Sequence, residues 1–584
     1  MKALSGRRAF TVLLTQAALW ATQAGFAAAP TPTPTSLPAN DVVLKSMQAE
    51  LNRSYSKLKT SGDAPVYFIA YRVYDVVACD ISGEFGALET DKPMSHKRTL
   101  EIELRVGSPH LDSTHSGGHG SGTDHFFSTR VPMPLDDSPE AIRTVLWERT
   151  DSAFKAAQSR FANLTAERDV KISEEDKSDD FSTEKPTVYV GPQVPLDVDM
   201  TAWQDHVRHL SGIYRSYPEL KDSSVHFSAK KTRRYLVTSE GTSIEDEQTE
   251  YRVFTTAEAA ADDGMKVWLY DGVEARSKDE IPSQAKLEQM VKKLAVSLCQ
   301  LRVAPPAEPY TGPAILQSKS AGVFFHEIFG HRIEGHRQKD ESEGRTFTKL
   351  VGHQVMPTFI SVVDDPLMEK LGNKSLNGFY KFDDEGVPAQ KVTLVDKGIL
   401  KNFLMGRSPV KGFQNSNGHG RAAPGKSPVA RQGNLLVSST KTVPYSELRN
   451  LLIQEVKRQK KPYGLIFDEL AGGFTMTQSY LPQVFALKPL RVWQVFPDGK
   501  PDQLLRGVDL VGTPLASLES IMSAGDDTDV FNGTCGAESG YVPVSAASPS
   551  LLVQTIEVER NSKDKDKPPI LPPPNSEQKS GAHK

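Results

Sequence analysis

Alternating and helical patterns of apolar residues predict a mixed arrangement of strands and helices in the first half of the chain. Residues 66–77 and 100–106 are rich in β-branched and aromatic side chains, which is typical of strands. The Ser-Pro-Glu sequence at 138–140 is a favourable helix start and predicts a helix to about residue 164. Further strands are predicted over 225–227, 234–238, 250–258 and 267–270, and further helices over 203–214 and 287–301.

A proline cluster at 305–309 divides this pattern in two and marks the best domain boundary. Beyond it, a short helical segment at 322–335 precedes a long β-rich half that is punctuated by Gly and Pro. We therefore predict an N-terminal domain over residues 41–305 and a β-rich C-terminal domain over residues 306–560.

Both ends of the chain differ from the rest in composition. Residues 1–29 are typical of an export signal, since three basic residues precede an apolar stretch at 9–24. We therefore predict an exported protein, periplasmic or secreted, that uses the Sec or the twin-arginine route. Residues 30–40 alternate Pro and Thr as an extended linker does, and the Lys-, Asp- and Pro-rich tail at 561–584 predicts disorder.

Composition narrows the classes of function. The chain carries 69 Lys and Arg against 73 Asp and Glu, a net charge of −4, which argues against a nucleic-acid-binding protein. Beyond the leader, no run of about 18 apolar residues occurs, so we expect no stable membrane span. Of the three cysteines, Cys79 and Cys299 fall in apolar patterns and form a possible disulfide or two buried thiols.

The strongest chemical signal is a dense group of His and Glu residues at 326–336. Neutral imidazoles are good zinc ligands, and a neighbouring carboxylate can act as a general base on bound water. A solvated helix surface would use the same residue types. However, apolar residues at 323–325 and 328–329 indicate a buried segment, where ionisable groups without partners are costly. A metal site is therefore the favoured interpretation.

The spacing of the histidines leaves the ligand set open. His326 and His331 are five residues apart, about 140° on a regular helix. They can share a metal only if the helix widens or breaks between them, which Gly330 would permit. On an unbroken helix, Glu327, His331 and Glu334 share a face instead. The sequence thus offers either His326 with His331, or Glu327 with His331.

A third ligand is expected from elsewhere in the chain. Cys535 lies in an Asn-Gly-Thr-Cys-Gly turn, where a thiolate can approach a metal that lowers its pKa. A surface thiol with no ligand role is the alternative for this residue. The other candidates are His336, Glu334, His353 and His419.

Several motifs, taken in order, resemble those of the TldD/PmbA metallopeptidase family. They are GPAIL at 312–316, HEIFGHRIEG at 326–335, DDEGVPAQ at 383–390, LVDKGIL at 394–400, NGHGR at 417–421 and the Cys-Gly pair at 535–536. The similarity covers about residues 199–558. It implies an α+β fold, in which an N-terminal α/β domain is followed by a β-rich C-terminal domain that carries the metal site.

The resemblance also implies a function. His326, His331 and Cys535 would be the zinc ligands, and Glu327 the general base on zinc-bound water. The reaction would be hydrolysis of peptide bonds in unfolded or small peptides, by a homodimer or a heterodimer with a related subunit. Arg421, in a Gly-rich turn, would contact substrate carbonyls or simply cap an end. The alternative function is a catalytically silent peptide-binding or scaffold subunit of a TldD/PmbA-type complex.

A His-rich loop lies outside the region of resemblance. Its histidines stand at 110, 115, 119 and 125 among Gly and Ser residues and could hold a second metal ion. We favour a flexible polar loop, because such a loop would have to order itself on binding.

Overall fold

The structure is a computed structural model that describes residues 41–90, 92–115, 131–168 and 176–561. The predicted leader at 1–29, the linker at 30–40 and the tail from residue 562 onward lie outside the described residues. Within the described ranges, no helix is long and apolar enough to cross a membrane.

The N-terminal part is built on one sheet of nine strands. Its elements are α1 Val42–Leu58, β1 Val66–Glu84, β2 Ala87–Leu88, β3 Met94–Ser108, β4 Leu111–Asp112, β5 Val131–Pro132, α2 Pro139–Arg168, β6 Val188–Val190, α3 Met200–Gly212, β7 Leu220–Thr238, β8 Ser243–Ala260, β9 Lys266–Ala275 and α4 Gln284–Val303. The sheet has the order β4-β3-β1-β7-β8-β6, with β2 on β1, β5 on β3 and β9 on β8. Helices α1 and α2 pack near β1 and β3, whereas α4 packs on β8 and β9.

The strands of this sheet are longer than the sequence pattern predicts. The segments predicted at 225–227 and 234–238 belong to the single strand β7, which pairs antiparallel with β8 along almost its whole length. Buried and less buried side chains alternate through the polar stretch that separates the two segments. Polar side chains on the outward positions of a sheet do not end a strand, so the gap in the apolar pattern was misleading.

The C-terminal part carries two further large sheets. Its elements are β10 Tyr310–Leu316, α5 Ser318–Ile328, α6 His336–Lys339, β11 Ile360–Asp364, β12 Lys370–Leu371, β13 Lys374–Ser375, β14 Val392–Asp396, β15 Ile399–Leu400, β16 Gly420–Arg421, β17 Val429–Ala430, β18 Asn434–Ser439, β19 Thr442–Val443, α7 Tyr445–Arg458, β20 Gly464–Thr475, β21 Phe485–Val495, β22 Gln503–Leu505, β23 Val508–Gly512, α8 Pro514–Glu519, β24 Ile521–Gly525, β25 Asp529–Ala537, β26 Gly540–Ser548 and β27 Leu551–Arg560.

Helix α5 lies between these two sheets. The eight-stranded sheet has the order β10-β20-β21-β23-β27-β24-β19, with β22 on β21, and the six-stranded sheet has the order β15-β14-β11-β18-β26-β25. Helix α5 packs against β20 of the first sheet and against β25 and β26 of the second. Its side chains Phe324, Phe325 and Ile328 belong to the largest apolar core. The predicted α+β fold with a β-rich C-terminal part is therefore confirmed.

The longest helix of this part, α7, was not predicted. Helix α7 was included in the β-rich half, although Leu448, Leu452 and Val456 repeat every four residues as on an amphipathic helix. All three side chains are fully buried and pack with Ile315 and Leu552 of the eight-stranded sheet. The helix therefore covers the face of this sheet opposite to its main core.

Candidate metal centre

The two histidines of the HExxxH segment lie on either side of a break in the helix. Helix α5 ends at Ile328, and a 3-10 turn, Gly330–Ile333, follows it. The break brings the rings of His326 and His331 edge to face, with their centroids 5.0 Å apart. The helix break that a metal shared by both histidines would require is therefore present.

Close packing explains the glycine at the break. A Cβ atom on Gly330 would lie 1.9 Å from the side-chain oxygen of Gln432, which is far inside contact distance. The φ angle of Gly330 is not positive, so a left-handed backbone conformation is not the reason for a glycine here. A side chain at this position would displace Gln432, whose amide donates to the carbonyl of His326 at 3.4 Å.

Cys535 joins the two histidines from strand β25. Its Sγ lies 3.1 Å from Nε2 of His326 and 3.3 Å from Nε2 of His331. The three candidate ligand atoms lie within 4.8 Å of one another, and each of the three side chains is buried. Within the described ranges this is the single group of three or more His, Cys or carboxylate side chains with that geometry.

The other candidate ligands point elsewhere. His336 contacts Glu538, His419 is buried with Nε2 3.3 Å from Asp364, and the exposed His353 lies near the carbonyl of Val351. Glu334 contacts His331 on the outer ring atom Nδ1, at 3.4 Å, rather than on Nε2. The structure thus brings His326, His331 and Cys535 together and leaves the remaining four candidates outside the group.

Glu327 lies beside this group. Its Oε2 is 3.9 Å from Nε2 of His331, and the residue is 6% exposed. Gly473 of strand β20 is its close neighbour, since a Cβ there would lie 3.0 Å from Cγ of Glu327. The buried Arg332 donates to the carbonyl of Glu327 at 3.2 Å and to that of Met476 at 2.8 Å. Arg332 therefore links the helix end to the hairpin that follows β20.

The charges of the group favour a thiolate. Burial raises the pKa of Cys535, but His331, His326 and Arg431 together hold it well below its ordinary value. Burial lowers the pKa of both histidines, but the Cys535 sulfur, together with Glu327 for His326 and Glu334 for His331, holds the pKa of each above its ordinary value. A thiolate is the form of cysteine that binds metals, so the surroundings prepare the sulfur for this role.

Sequence reasoning missed Arg431 altogether. It considered Glu334 as a metal ligand but missed its contact with Nδ1 of His331, the ring atom that faces away from Cys535. Arg431 is fully buried, and its Nη2 lies 3.1 Å from the Cys535 sulfur. Glu334 is fully buried as well; burial raises its pKa, but His331 and Arg337 lower it to about 2. The one signal in the sequence was the position of Arg431 itself, a charged residue between Ala430 and the apolar pair at 435–436.

The three side chains suit a zinc ion. Two imidazole nitrogens and one thiolate are a donor set that zinc prefers, and structural or catalytic zinc sites use N and S atoms at about 2.0–2.3 Å. Two atoms at those distances from one ion lie no more than about 4.6 Å apart. The separations of 3.1 and 3.3 Å between sulfur and nitrogen meet this condition.

Arg421 lies at a cavity of about 620 Å³ between the N-terminal sheet and the C-terminal part. Its guanidinium donates to the carbonyl of Gln432 at 2.6 Å and lies 4.7 Å from the ring centroid of Tyr380. Thr534 lines the same cavity, whereas the next residue, Cys535, does not. The structure therefore places Arg421 behind the strand that carries the thiol.

The described part of the His-rich loop shows ion pairs with carboxylates. Nδ1 of His110 lies 2.8 Å from Asp179, and Nδ1 of His115 lies 2.6 Å from Asp180. The histidines at 119 and 125 lie outside the described residues.

The three cysteines are all free. Cys79 is fully buried in the core beneath α3 and α4, and Cys299 packs against the same core. The disulfide considered between them is therefore absent from this structure.

Comparisons with known proteins concern mainly the C-terminal part. Residues 309–560 match the family described as PmbA/TldA metallopeptidase C-terminal domain. A metalloprotease of Archaeoglobus fulgidus is 28% identical over 251 residues, which are 43% of this chain and 53% of that protein. A zinc metalloprotease TldD homolog of Saccharolobus solfataricus is 26% identical over 258 residues, or 44% of this chain and 52% of that protein. The chain thus spans about half the length of these relatives.

The whole fold resembles a solved structure, TldE from Thermococcus kodakarensis, with a TM-score of 0.56. The likeness covers 88% of this chain and all of that one at 13% identity, so it concerns the fold alone. Together, the matched domain and the names of the relatives show that the C-terminal part of this chain is similar to PmbA/TldD metallopeptidases.

Proposed function

We propose that the protein is a zinc-dependent peptidase that hydrolyses peptide bonds in unfolded or small peptides. The observation that carries the proposal is the buried convergence of His326, His331 and Cys535 with Glu327 beside them. The match of residues 309–560 to a metallopeptidase domain supports it, as does the word zinc in the name of one relative.

In this proposal each side chain has one task. His326, His331 and Cys535 hold the zinc ion. The chemistry that zinc supplies when bound by such a set is polarisation of the substrate carbonyl and activation of water. Glu327 accepts a proton from the attacking water and delivers it to the leaving amine, as a general base and then a general acid. Arg332 holds the carbonyl of Glu327 and thereby fixes the position of this residue.

The surroundings of the site suit a reaction away from bulk water. The three candidate ligands and Glu327 are each at most 8% exposed, so charges within the group interact more strongly than in water. Gly473 packs closely against Glu327, since a Cβ there would lie 3.0 Å from Cγ of Glu327 and 2.4 Å from Leu487, and this packing helps to hold the proposed general base in place. We propose that Arg421 contacts carbonyls of a peptide segment that extends into the neighbouring cavity; among the described residues its guanidinium makes one hydrogen bond, to Gln432.

The assembly and the location of the protein are part of the same proposal. We propose a homodimer or a heterodimer with a related subunit, which the fold likeness to TldE supports. We also propose export to the periplasm or beyond, on the basis of residues 1–29. Size measurement of the purified protein and fractionation of cells that express the full chain test these two statements.

A substitution of Glu327 tests the proposed reaction. We expect Glu327→Gln to retain about one zinc per chain and to lose about 10²–10⁴-fold in peptide cleavage, because the proton acceptor is removed while the ligands stay. Metal content is measured by elemental analysis, and cleavage of a mixture of short synthetic peptides by mass spectrometry. Glu341→Gln, at an exposed position of the following segment, is the matched control.

Two outcomes contradict the proposal. Cleavage by Glu327→Gln at the wild-type rate would remove Glu327 from the reaction. A wild-type protein that binds peptides, but that neither binds zinc nor cleaves peptides, would identify the alternative, a silent peptide-binding or scaffold subunit.

A further inference from the structure

We propose that Arg431 is a positioning residue of the metal centre, which donates a hydrogen bond to the Cys535 thiolate and connects it to the carboxylate behind His331. The inference rests on the proposed zinc site, and it adds an outer residue that sets the electron density of the sulfur ligand.

The first observation is the direct contact with the sulfur. Nη2 of Arg431 lies 3.1 Å from Sγ of Cys535 and donates to the carbonyl of the same residue at 2.8 Å. This sulfur also lies between the two histidines, so it would be a zinc ligand and a hydrogen-bond acceptor at once. A charged donor makes the stronger class of hydrogen bond, particularly away from water.

The second observation is the charge balance around Arg431. Its side chain is fully buried, and a buried guanidinium is costly unless anions neutralise it. Among the described residues its one carboxylate within 4 Å is Glu334, whose Oε1 lies 3.4 Å from Nε. These two atoms make no hydrogen bond to each other or to another described residue. Glu334 also faces Arg337 and His331, so it does not neutralise Arg431 alone, and the Cys535 sulfur is the second anionic group beside this guanidinium.

The third observation connects Arg431 to the other side of the site. Oε1 of Glu334, the atom that faces Arg431, also lies 3.4 Å from Nδ1 of His331. A carboxylate behind a ligating histidine orients its ring and raises its basicity. Through Glu334, one guanidinium thus acts on Cys535 directly and on His331 indirectly.

The consequence concerns the metal. A hydrogen bond to a thiolate withdraws electron density from sulfur, so the sulfur donates less to the ion and the ion stays a stronger Lewis acid. The same bond fixes the direction of the sulfur lone pairs. We therefore expect loss of Arg431 to change both the affinity for metal and the electronic state of the sulfur.

A purely structural role is the competing explanation. Nη1 of Arg431 also donates to Oγ of Ser539 at 2.9 Å and to the carbonyl of Gly540 at 3.0 Å, which braces the turn between β25 and β26. Such a structural role, which we call a brace, would keep Cys535 in place without changing the electron density on its sulfur. Ser539→Ala removes one contact of the brace and leaves the sulfur contact intact, so it is the matched control.

The test uses the full chain loaded with zinc or with cobalt(II) at one fixed pH. For Arg431→Met we expect zinc affinity, measured by competition with a chelator, to fall about 10–100-fold, because the loss of a fixed sulfur position outweighs the stronger donation by a sulfur without the hydrogen bond. We also expect the sulfur-to-cobalt charge-transfer absorption to move to longer wavelength, because sulfur lone pairs without a hydrogen bond are easier to oxidise. Arg431→Lys keeps a charged donor and should restore part of both properties, while Ser539→Ala should match wild type.

The outcomes separate this inference from the proposed function. An unshifted cobalt band and unchanged zinc affinity in folded Arg431→Met would overturn the role of Arg431, whatever the cleavage activity. Equal effects of Ser539→Ala and Arg431→Met would overturn it in favour of the brace. If Arg431→Met does not fold, Arg431→Gln, whose amide is an uncharged and weaker donor, decides, and an unchanged band there also overturns the inference. A shifted band in a protein that cleaves no peptide would support Arg431 and contradict the peptidase.

Discussion

Two buried clusters of charge treat their carboxylates in opposite ways. The metal-centre network comprises Glu334, Arg337, Arg431 and Glu538. In it, Glu334 accepts a hydrogen bond from Arg337 at 2.8 Å, and Glu538 contacts the same guanidinium at 2.9 Å. Burial raises the pKa of Glu538 as it does that of Glu334, but Arg337 and His336 hold the pKa of Glu538 well below its ordinary value.

The junction cluster comprises Asp383, Glu385 and Arg407 and lies close to Glu103 of strand β3. Burial and the charge of Asp383 raise the pKa of Glu385 to about 8. The guanidinium of Arg407 is close, but it pairs with Glu240 at 2.7 Å, and Glu385 receives the backbone N–H of Arg407 at 2.6 Å. For Glu334, Glu538 and Glu385, the pKa is thus lowered where a guanidinium contacts the buried carboxylate directly and raised where none does.

The largest expected effect tests the metal-centre network. Glu334→Gln in the metal-free protein should lower the free energy of unfolding at pH 7 by about 3–5 kcal/mol, because Arg337 and Arg431 lose a buried counter-charge. Urea unfolding followed by circular dichroism measures it. Glu343→Gln, which removes another carboxylate neighbour of Arg337, also at 2.8 Å, is the control and should cost less. Equal losses in the two variants would contradict the central place of Glu334.

A smaller effect, with a pH dependence, tests the junction cluster. The pKa of Glu385 is raised in the folded chain, so the folded state holds a proton that the unfolded state releases above its ordinary pKa of 4.5. The stabilising contribution is therefore complete below about pH 4.5 and is lost as the pH rises towards 8.

Glu385→Gln should remove this dependence. We expect the wild type to lose up to about 1.4 kcal/mol of unfolding free energy per pH unit relative to the variant across that window. Urea unfolding of both proteins at pH 5, 7 and 9 measures the difference. Parallel curves for the two proteins would show that Glu385 carries no proton in the folded state.

The smallest effect is expected at an exposed pair. Lys230 and Glu250 lie opposite each other on β7 and β8, 2.8 Å apart, with side chains 39% and 40% exposed. Glu250→Gln should cost less than about 1 kcal/mol, and less still in 0.5 M salt, since water and ions screen the pair. A loss above about 2 kcal/mol would mean that burial does not explain the larger cost expected for Glu334→Gln.

The sequence predicted those parts of the fold that depend on local pattern. The helix start at Pro139 and the helix later found at Gln284–Val303 follow from nearby residues. Strand β7 and helix α7 were misjudged because their polar positions face outward in a context that only the tertiary structure defines. The same limit applies to the order of strands in the two C-terminal sheets, which pair segments far apart in sequence.

The candidate site also combines residues that a local pattern predicts with residues that only the tertiary structure brings together. His326, Glu327 and His331 share one short segment, so the sequence alone identified them as a group. Arg431 lies 104 residues from Cys535, and no local pattern connects the two. The contact arises because β18, which follows Arg431, pairs with β26 next to the strand that carries the thiol.

The long separation between the candidate ligands has a consequence for folding. His326 and Cys535 are 209 residues apart, so a metal ion bound by both would close a loop of that length. Closing so long a loop in an unfolded chain carries a large entropic cost, which grows only slowly with length. A bound ion would therefore act as a cross-link between the start and the end of the C-terminal part, and its release would lower the barrier to detachment of the last strands.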